Sequence, residues 1–165
     1  MKRICGAVAP LLLALSGCSS TTQQDFVATA PDAAPLATTA REKLNLRIAE
    51  QARAHNVPES LVHAIVKRES NYNPSLRHGP YWGLMQIRHD TARSMGYEGP
   101  ASGLLDPETN MTYAVAYLAN AYRVAGGDER RAIRLYAGGY YYEAKRKGLL
   151  DELHPAPAPL QVAAE

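Results

Sequence analysis

One carboxylate stands apart by the company it keeps. Glu69 follows Leu61, Val62, Ile65 and Val66 on a segment running from Pro58 to Ser70. At 3.6 residues per turn these positions share one helical stripe, so the carboxyl points toward the apolar side. It also stands at the C-terminal end of the segment, where the helix dipole disfavours negative charge. Both effects favour the protonated form. A carboxylic acid held partly neutral can hand a proton to a leaving oxygen, which is what cleavage of a glycosidic bond demands. The ordinary alternative is an exposed glutamate at a helix end, paired with Lys67 or Arg68.

A glycoside hydrolase that works with two carboxylates needs a partner acid close to the first. The next acidic residue after Glu69 is Asp90, which opens an expected helix and reads there as an N-cap or an exposed side chain. The spacing therefore favours chemistry with a single carboxyl. The histidines offer no metal site, because His55 and His63 are out of helical phase and no cysteine joins them. No metal and no cofactor are expected. The tyrosines combine a flat face for sugar with a hydroxyl for hydrogen bonding. Tyr113 and Tyr122 read as packing at the rim of a core, whereas Trp82, next to Gly83-Leu84-Met85-Gln86, reads as a groove residue.

The frame that must hold Glu69 is helical. Leu44, Ile48, Ala49 and Ala52 mark a first amphipathic helix, broken at Asn56-Val57-Pro58. Pro58 suits the first position of the next helix, which Asn73-Pro74 should end. A loop to Trp82 follows, then a short helix from His89 to Met95. Asp106-Pro107 opens the longest expected helix, with its stripe at Met111, Ala114, Val115, Leu118 and Tyr122, and Gly126-Gly127 closes it. Asp128 caps a helix from Glu129 to Tyr136, and a last one runs from Tyr140 to Lys147, ending at Gly148. No stretch alternates well enough for a sheet core, so the expected fold is mainly α.

The ends read differently. Lys2 and Arg3 precede an apolar run from Ala7 to Leu15 that is too short to span a bilayer and has the size of a secretory signal's core. Leu15-Ser16-Gly17-Cys18 then forms a lipoprotein-processing pattern. Residues 1–17 are thus expected to be a signal peptide and Cys18 the site of lipidation. Residues 18–40, rich in Ser, Thr, Gln, Ala and Pro, should form a disordered tether. A single folded domain should occupy residues 41–148, followed by a Pro/Ala-rich tail over residues 149–165. Cys5 falls in the signal, so no thiol remains for a disulfide and packing alone must hold the fold. Without Lys2 and Arg3, the 18 basic residues become 16 against 16 acidic ones, which gives no electrostatic reason to expect nucleic acid.

Downstream of Glu69-Ser70 lie Gly83-Leu84-Met85-Gln86-Ile87, the Asp106-Pro107-Glu108-Thr109-Asn110 run, Tyr117-Leu118 and Tyr136-Ala137-Gly138-Gly139. In these segments, from roughly Asn56 to Lys147, the chain resembles the family 1 lytic transglycosylases, soluble-lytic-transglycosylase-like domains of lysozyme-like fold. The resemblance implies that Glu69 is the catalytic acid and base, that Met85 and Gln86 contact sugar, and that Tyr136 polarises or orients the reacting centre. Ser70 and Tyr117, in the matching segments, are implied at the substrate. It implies glycan strands of peptidoglycan as the partner, cut between N-acetylmuramic acid and N-acetylglucosamine to leave 1,6-anhydro ends. With Cys18 lipidated, such a domain would be a monomer anchored to an envelope membrane, facing the periplasm, and Ser19 after the cysteine suggests the outer membrane.

Two positions depart from the family pattern. Ala137 stands where the family has asparagine after the motif tyrosine, and the Ser75–Trp82 loop carries Arg77, His78, Tyr81 and Trp82 in place of small polar residues. Two other readings stay open beside the transglycosylase: a hydrolytic muramidase, and a peptidoglycan-binding lipoprotein without activity.

Overall fold

Helix α2, Glu59–Ser70, carries Glu69 in its last turn, and its sequence explains both ends. Pro58 caps the start, one residue before the position expected for it, and its carbonyl accepts the Leu61 N–H. Leu61, Val62, Ile65 and Val66 are all fully buried, as a single apolar stripe requires. The helix ends at Ser70, as the Pro58–Ser70 segment has it and ahead of the Asn73-Pro74 break, because Asn71 and Tyr72 both take left-handed backbone, with φ of 49° and 65°. Asparagine tolerates that conformation better than most residues.

The computed structural model describes residues 34–153, and these form a mainly helical domain. Helix α1 spans Ala34–Ala54, α3 His89–Ser94, α4 Pro107–Val124, α5 Glu129–Gly138 and α6 Tyr141–Lys147. Short 3-10 turns cover Ala101–Leu105 and Leu150–Glu152. Helix α4 lies at the centre, with every residue from Asn110 to Ala116 buried, so its buried face is far wider than the stripe read from sequence. Asp106 caps it by accepting from the Thr109 N–H at 2.8 Å, and Asp128 does the same for α5 through Arg131. Helices α1, α3, α5 and α6 and the first 3-10 turn all pack on α4.

Three expectations need correction. Helix α1 starts at Ala34, inside the span assigned to the tether, and at 21 residues it outruns the 18-residue α4. Alanine-rich sequence lacks large apolar groups yet is the best helix former, and a proline in the first turn is tolerated. At the other end, Leu149, Leu150 and Leu153 pack against the core, so the domain continues to Leu153 rather than ending at Gly148. Finally, the loop after α2 contains a small antiparallel sheet: β1 (Arg77–His78), β2 (Tyr81–Trp82) and β3 (Ile87–Arg88), in that order. Strands of two residues are too short to show alternation in sequence. The signal peptide, Cys18, most of the tether and the Pro/Ala tail from His154 lie outside the described residues.

Candidate active site

The Glu69 side chain is 22% exposed, and its Oε1 lies 3.3 Å from Arg68 Nε. Both readings of this residue thus hold in part: it is half-buried and it pairs with Arg68. Burial pushes the carboxyl above its usual range, and the Arg68 charge opposes that shift without cancelling it. The carboxyl opens onto a cleft of about 430 Å³ whose walls include Leu76, His78, Tyr81, Gln86, Tyr136 and Ala137. An adjoining lobe of about 290 Å³ shares Tyr81, Gln86, Tyr136 and Ala137 and extends past Arg88 and Tyr117 to Gly138-Gly139.

The far wall is the turn between β2 and β3, and it is fixed from behind by Asn110. That side chain is fully buried; its amide nitrogen donates to the Trp82 and Leu104 carbonyls, both at 2.8 Å, and its oxygen accepts the Met85 N–H at 3.0 Å. Gly83 enters the turn at φ +69°, and a Cβ there would come within 2.3 Å of the Leu104 oxygen. Only glycine fits both constraints. Gln86 leaves the turn at φ +48° and staples it, donating to the Gly83 carbonyl at 2.8 Å and to the Leu76 carbonyl at 3.0 Å. Both of its amide hydrogens are therefore spent on the chain, and its oxygen is the atom left for a ligand.

Tyr136, on α5, closes the cleft opposite. Its hydroxyl donates to the Met85 carbonyl at 2.8 Å. Burial, with the nearby Glu69 carboxylate and Tyr117 adding to it, holds the phenol far above its usual range, so it stays protonated. Tyr117 packs edge-on against Tyr136, ring centres 5.4 Å apart, and lies 4.7 Å from the Tyr140 ring. Burial pushes the Tyr117 hydroxyl up to about 12.

The structure gathers Glu69, Gln86, Tyr136 and Tyr117 around the groove and leaves three expected residues out of it. Met85 is wholly buried, so a sugar contact by its side chain is not open to it; its backbone serves Asn110 and Tyr136 instead. Ser70 turns its hydroxyl back to the Val66 carbonyl at 3.2 Å and is itself buried. Trp82 lines neither lobe, because its ring packs on the core and the Arg77 guanidinium sits over it at 4.3 Å. Asp90 forms a two-point pair with Arg88, at 2.8 and 2.9 Å, which holds its carboxyl below its usual value. Among the described residues, Glu69 is the only carboxylate lining either lobe. None of the described His, Cys, Asp and Glu residues group as a metal site would require.

Sequence reasoning named Tyr81 only within a loop expected to alter subsite contacts and Arg68 only as a candidate partner of Glu69, and it missed the work of Asn110. The Asn110 signal was present: position 110 shares the helical face of Ala114 and Leu118, and a polar residue facing a core must be hydrogen-bonded there.

A helical frame that presents one half-buried carboxyl across from a tyrosine and a short sheet is a lysozyme-like domain. Within that class the chain belongs to the transglycosylase SLT domain family, which it matches over residues 47–150. It is 37% identical over 99 residues to proteins named membrane-bound lytic murein transglycosylase C from Cronobacter sakazakii, Salmonella typhi and Salmonella typhimurium. Each match covers 54% of this chain and only 28% of the relative. No solved structure gives a significant match.

Proposed function

We propose that this domain cleaves the β-1,4 bond between N-acetylmuramic acid and N-acetylglucosamine in peptidoglycan and leaves 1,6-anhydromuramic ends. The observation that carries this is Glu69: half-buried, shifted toward its protonated form, and without a second carboxylate at the cleft among the described residues. Membership of the SLT family and relatives named lytic murein transglycosylases support the same reading.

In this reaction Glu69 gives its proton to the glycosidic oxygen as the C1–O bond breaks, and the N-acetylglucosamine leaves as its 4-hydroxyl. The acetamido group of the muramyl residue stabilises the cation at C1, a substrate-assisted route that replaces the second carboxylate. The Glu69 carboxylate then takes the proton of the muramyl C6 hydroxyl while O6 bonds to C1. The ring closes, Glu69 is protonated again, and no water is consumed. Tyr136 holds the Met85 carbonyl, and with it the turn that carries Gln86, in register with Glu69. A lipid on Cys18 would keep the domain at the envelope, facing the periplasm, with the outer membrane as the expected site.

Digestion of purified sacculi in oxygen-18 water, read by mass spectrometry, tests the reaction. Anhydro ends free of oxygen-18 are expected. Reducing ends carrying the label would make the enzyme a hydrolytic muramidase, and no release at all would leave a binding protein.

A further inference from the structure

The groove carries more positive charge than the chemistry uses. Arg68 and Arg88 face its two lobes, against Glu69 as the single acid among the described lining residues. Arg88 is already satisfied by the two-point pair with Asp90. Arg68 is not. Its side chain is 48% exposed, its closest approach to Glu69 is through Nε at 3.3 Å, and its terminal nitrogens make no hydrogen bond among the described residues. A guanidinium is a planar fork whose terminal donors match a carboxylate at two points.

The pairing is also weakest when the reaction begins. The proposed chemistry starts with Glu69 protonated, and in that state Arg68 has lost its one anionic neighbour among the described residues at the moment substrate occupies the cleft. Along a peptidoglycan strand the acidic groups hang from the muramyl residue, at the lactyl arm on O3 or on the peptide this arm bears. N-acetylglucosamine carries none. The muramyl C1 must lie at Glu69 for its bond to be cut, so the O3 arm of the same ring lies close to the stretch of cleft wall that Glu69 shares with Arg68.

We infer that Arg68 is a specificity residue that receives a carboxylate carried on the O3 arm of the muramyl residue bound next to Glu69. The inference rests on the proposed reaction for the placement of that ring. It gives the cleft a means of telling a muramyl unit from plain N-acetylglucosamine.

The probe is the disaccharide N-acetylglucosaminyl-N-acetylmuramic acid, which lacks the scissile linkage and so binds without being cut. Its affinity for the full chain in detergent is measured by titration calorimetry beside its lactyl carboxamide, and beside a pair bearing a stem dipeptide in acid and amide forms. The free acid should bind about fivefold tighter than its amide, the scale of one charge-assisted contact at a half-exposed site. A preference in the plain disaccharide assigns the lactyl carboxylate, and one confined to the dipeptide pair assigns the peptide. In Arg68→Gln, checked for folding by circular dichroism, the ratio should fall to near one. The Glu69 charge also acts on an acid ligand more than on its amide, so the pairs are titrated in a Glu69→Gln background as well, where that charge is absent and Arg68→Gln should still bring the ratio to near one. Equal affinities for acid and amide in both pairs, or a preference that survives Arg68→Gln, would overturn the inference. Because no cleavage is read, failure of the proposed reaction would show separately in the sacculus digest.

Discussion

The Tyr136 hydroxyl donates to the Met85 carbonyl oxygen over 2.8 Å, so α5 and the turn facing it are joined by one hydrogen bond beside Glu69. The same peptide segment is held from the other side by Asn110, which accepts the Met85 N–H. Met85 therefore contributes a fixed backbone position rather than a sugar contact.

Tyr136→Phe keeps the ring and its packing on Tyr117 but leaves the Met85 carbonyl without its donor. A buried acceptor stripped of its partner costs about 1–3 kcal/mol. Small displacements of a positioning wall reduce turnover disproportionately, and a loss of roughly tenfold or more is expected. Urea unfolding and muropeptide release from sacculi measure the two effects. A variant with parent stability and parent rate would show the bond to be idle.

Asn110→Asp tests the anchor behind the turn. The amide nitrogen that now donates to Trp82 and Leu104 becomes an oxygen facing two carbonyl oxygens. A protonated aspartic acid can still donate once, and an ionised one cannot donate at all. The new carboxyl should therefore have a raised folded-state pKa, and the variant should lose stability as pH rises from mildly acidic to neutral. The loss at neutral pH should reach about 3 kcal/mol or more, since more than one buried group goes unsatisfied. Thermal midpoints in the two buffers decide it; a deficit that does not grow with pH would mean the site rearranges.

Much of this was legible beforehand, and the boundary has a physical cause. The helices announce themselves because an apolar face recurring every three to four residues survives in sequence, as at Leu61, Val62, Ile65 and Val66. The same periodicity located Glu69. What escaped is set by backbone angles rather than by residue pattern. Left-handed φ at Gly83 and Gln86 rotates the Gly-Leu-Met-Gln segment so that Met85 points inward and Gln86 folds back on its own turn. Left-handed Asn71 and Tyr72 likewise end α2 at Ser70, ahead of the Asn73-Pro74 break that the sequence also carries. Helix α1 began early because alanine-rich sequence supports a helix as readily as a tether.

Glu69→Gln separates the proposed catalyst from the fold. It keeps the shape and removes the transferable proton, and losing a general acid typically costs about a hundred- to ten-thousandfold in rate. Stability should move the other way. Burial raises the Glu69 carboxyl above its ordinary value of 4.5, so the folded state holds this proton more tightly than the unfolded chain does. The stability tied to that proton is fully present below the ordinary value and is lost as pH rises through the folded one. At neutral pH the parent therefore carries a half-desolvated charge, which the neutral glutamine does not, offset only partly by Arg68. The thermal midpoint of Glu69→Gln should exceed that of the parent at neutral pH, and the gap should narrow in acid, where the parent carboxyl is protonated too. Scanning calorimetry of both proteins across that range measures the gap. A constant difference would mean that Glu69 is not strained by burial, and a variant still releasing muropeptides at the parent rate would mean that the proton comes from elsewhere.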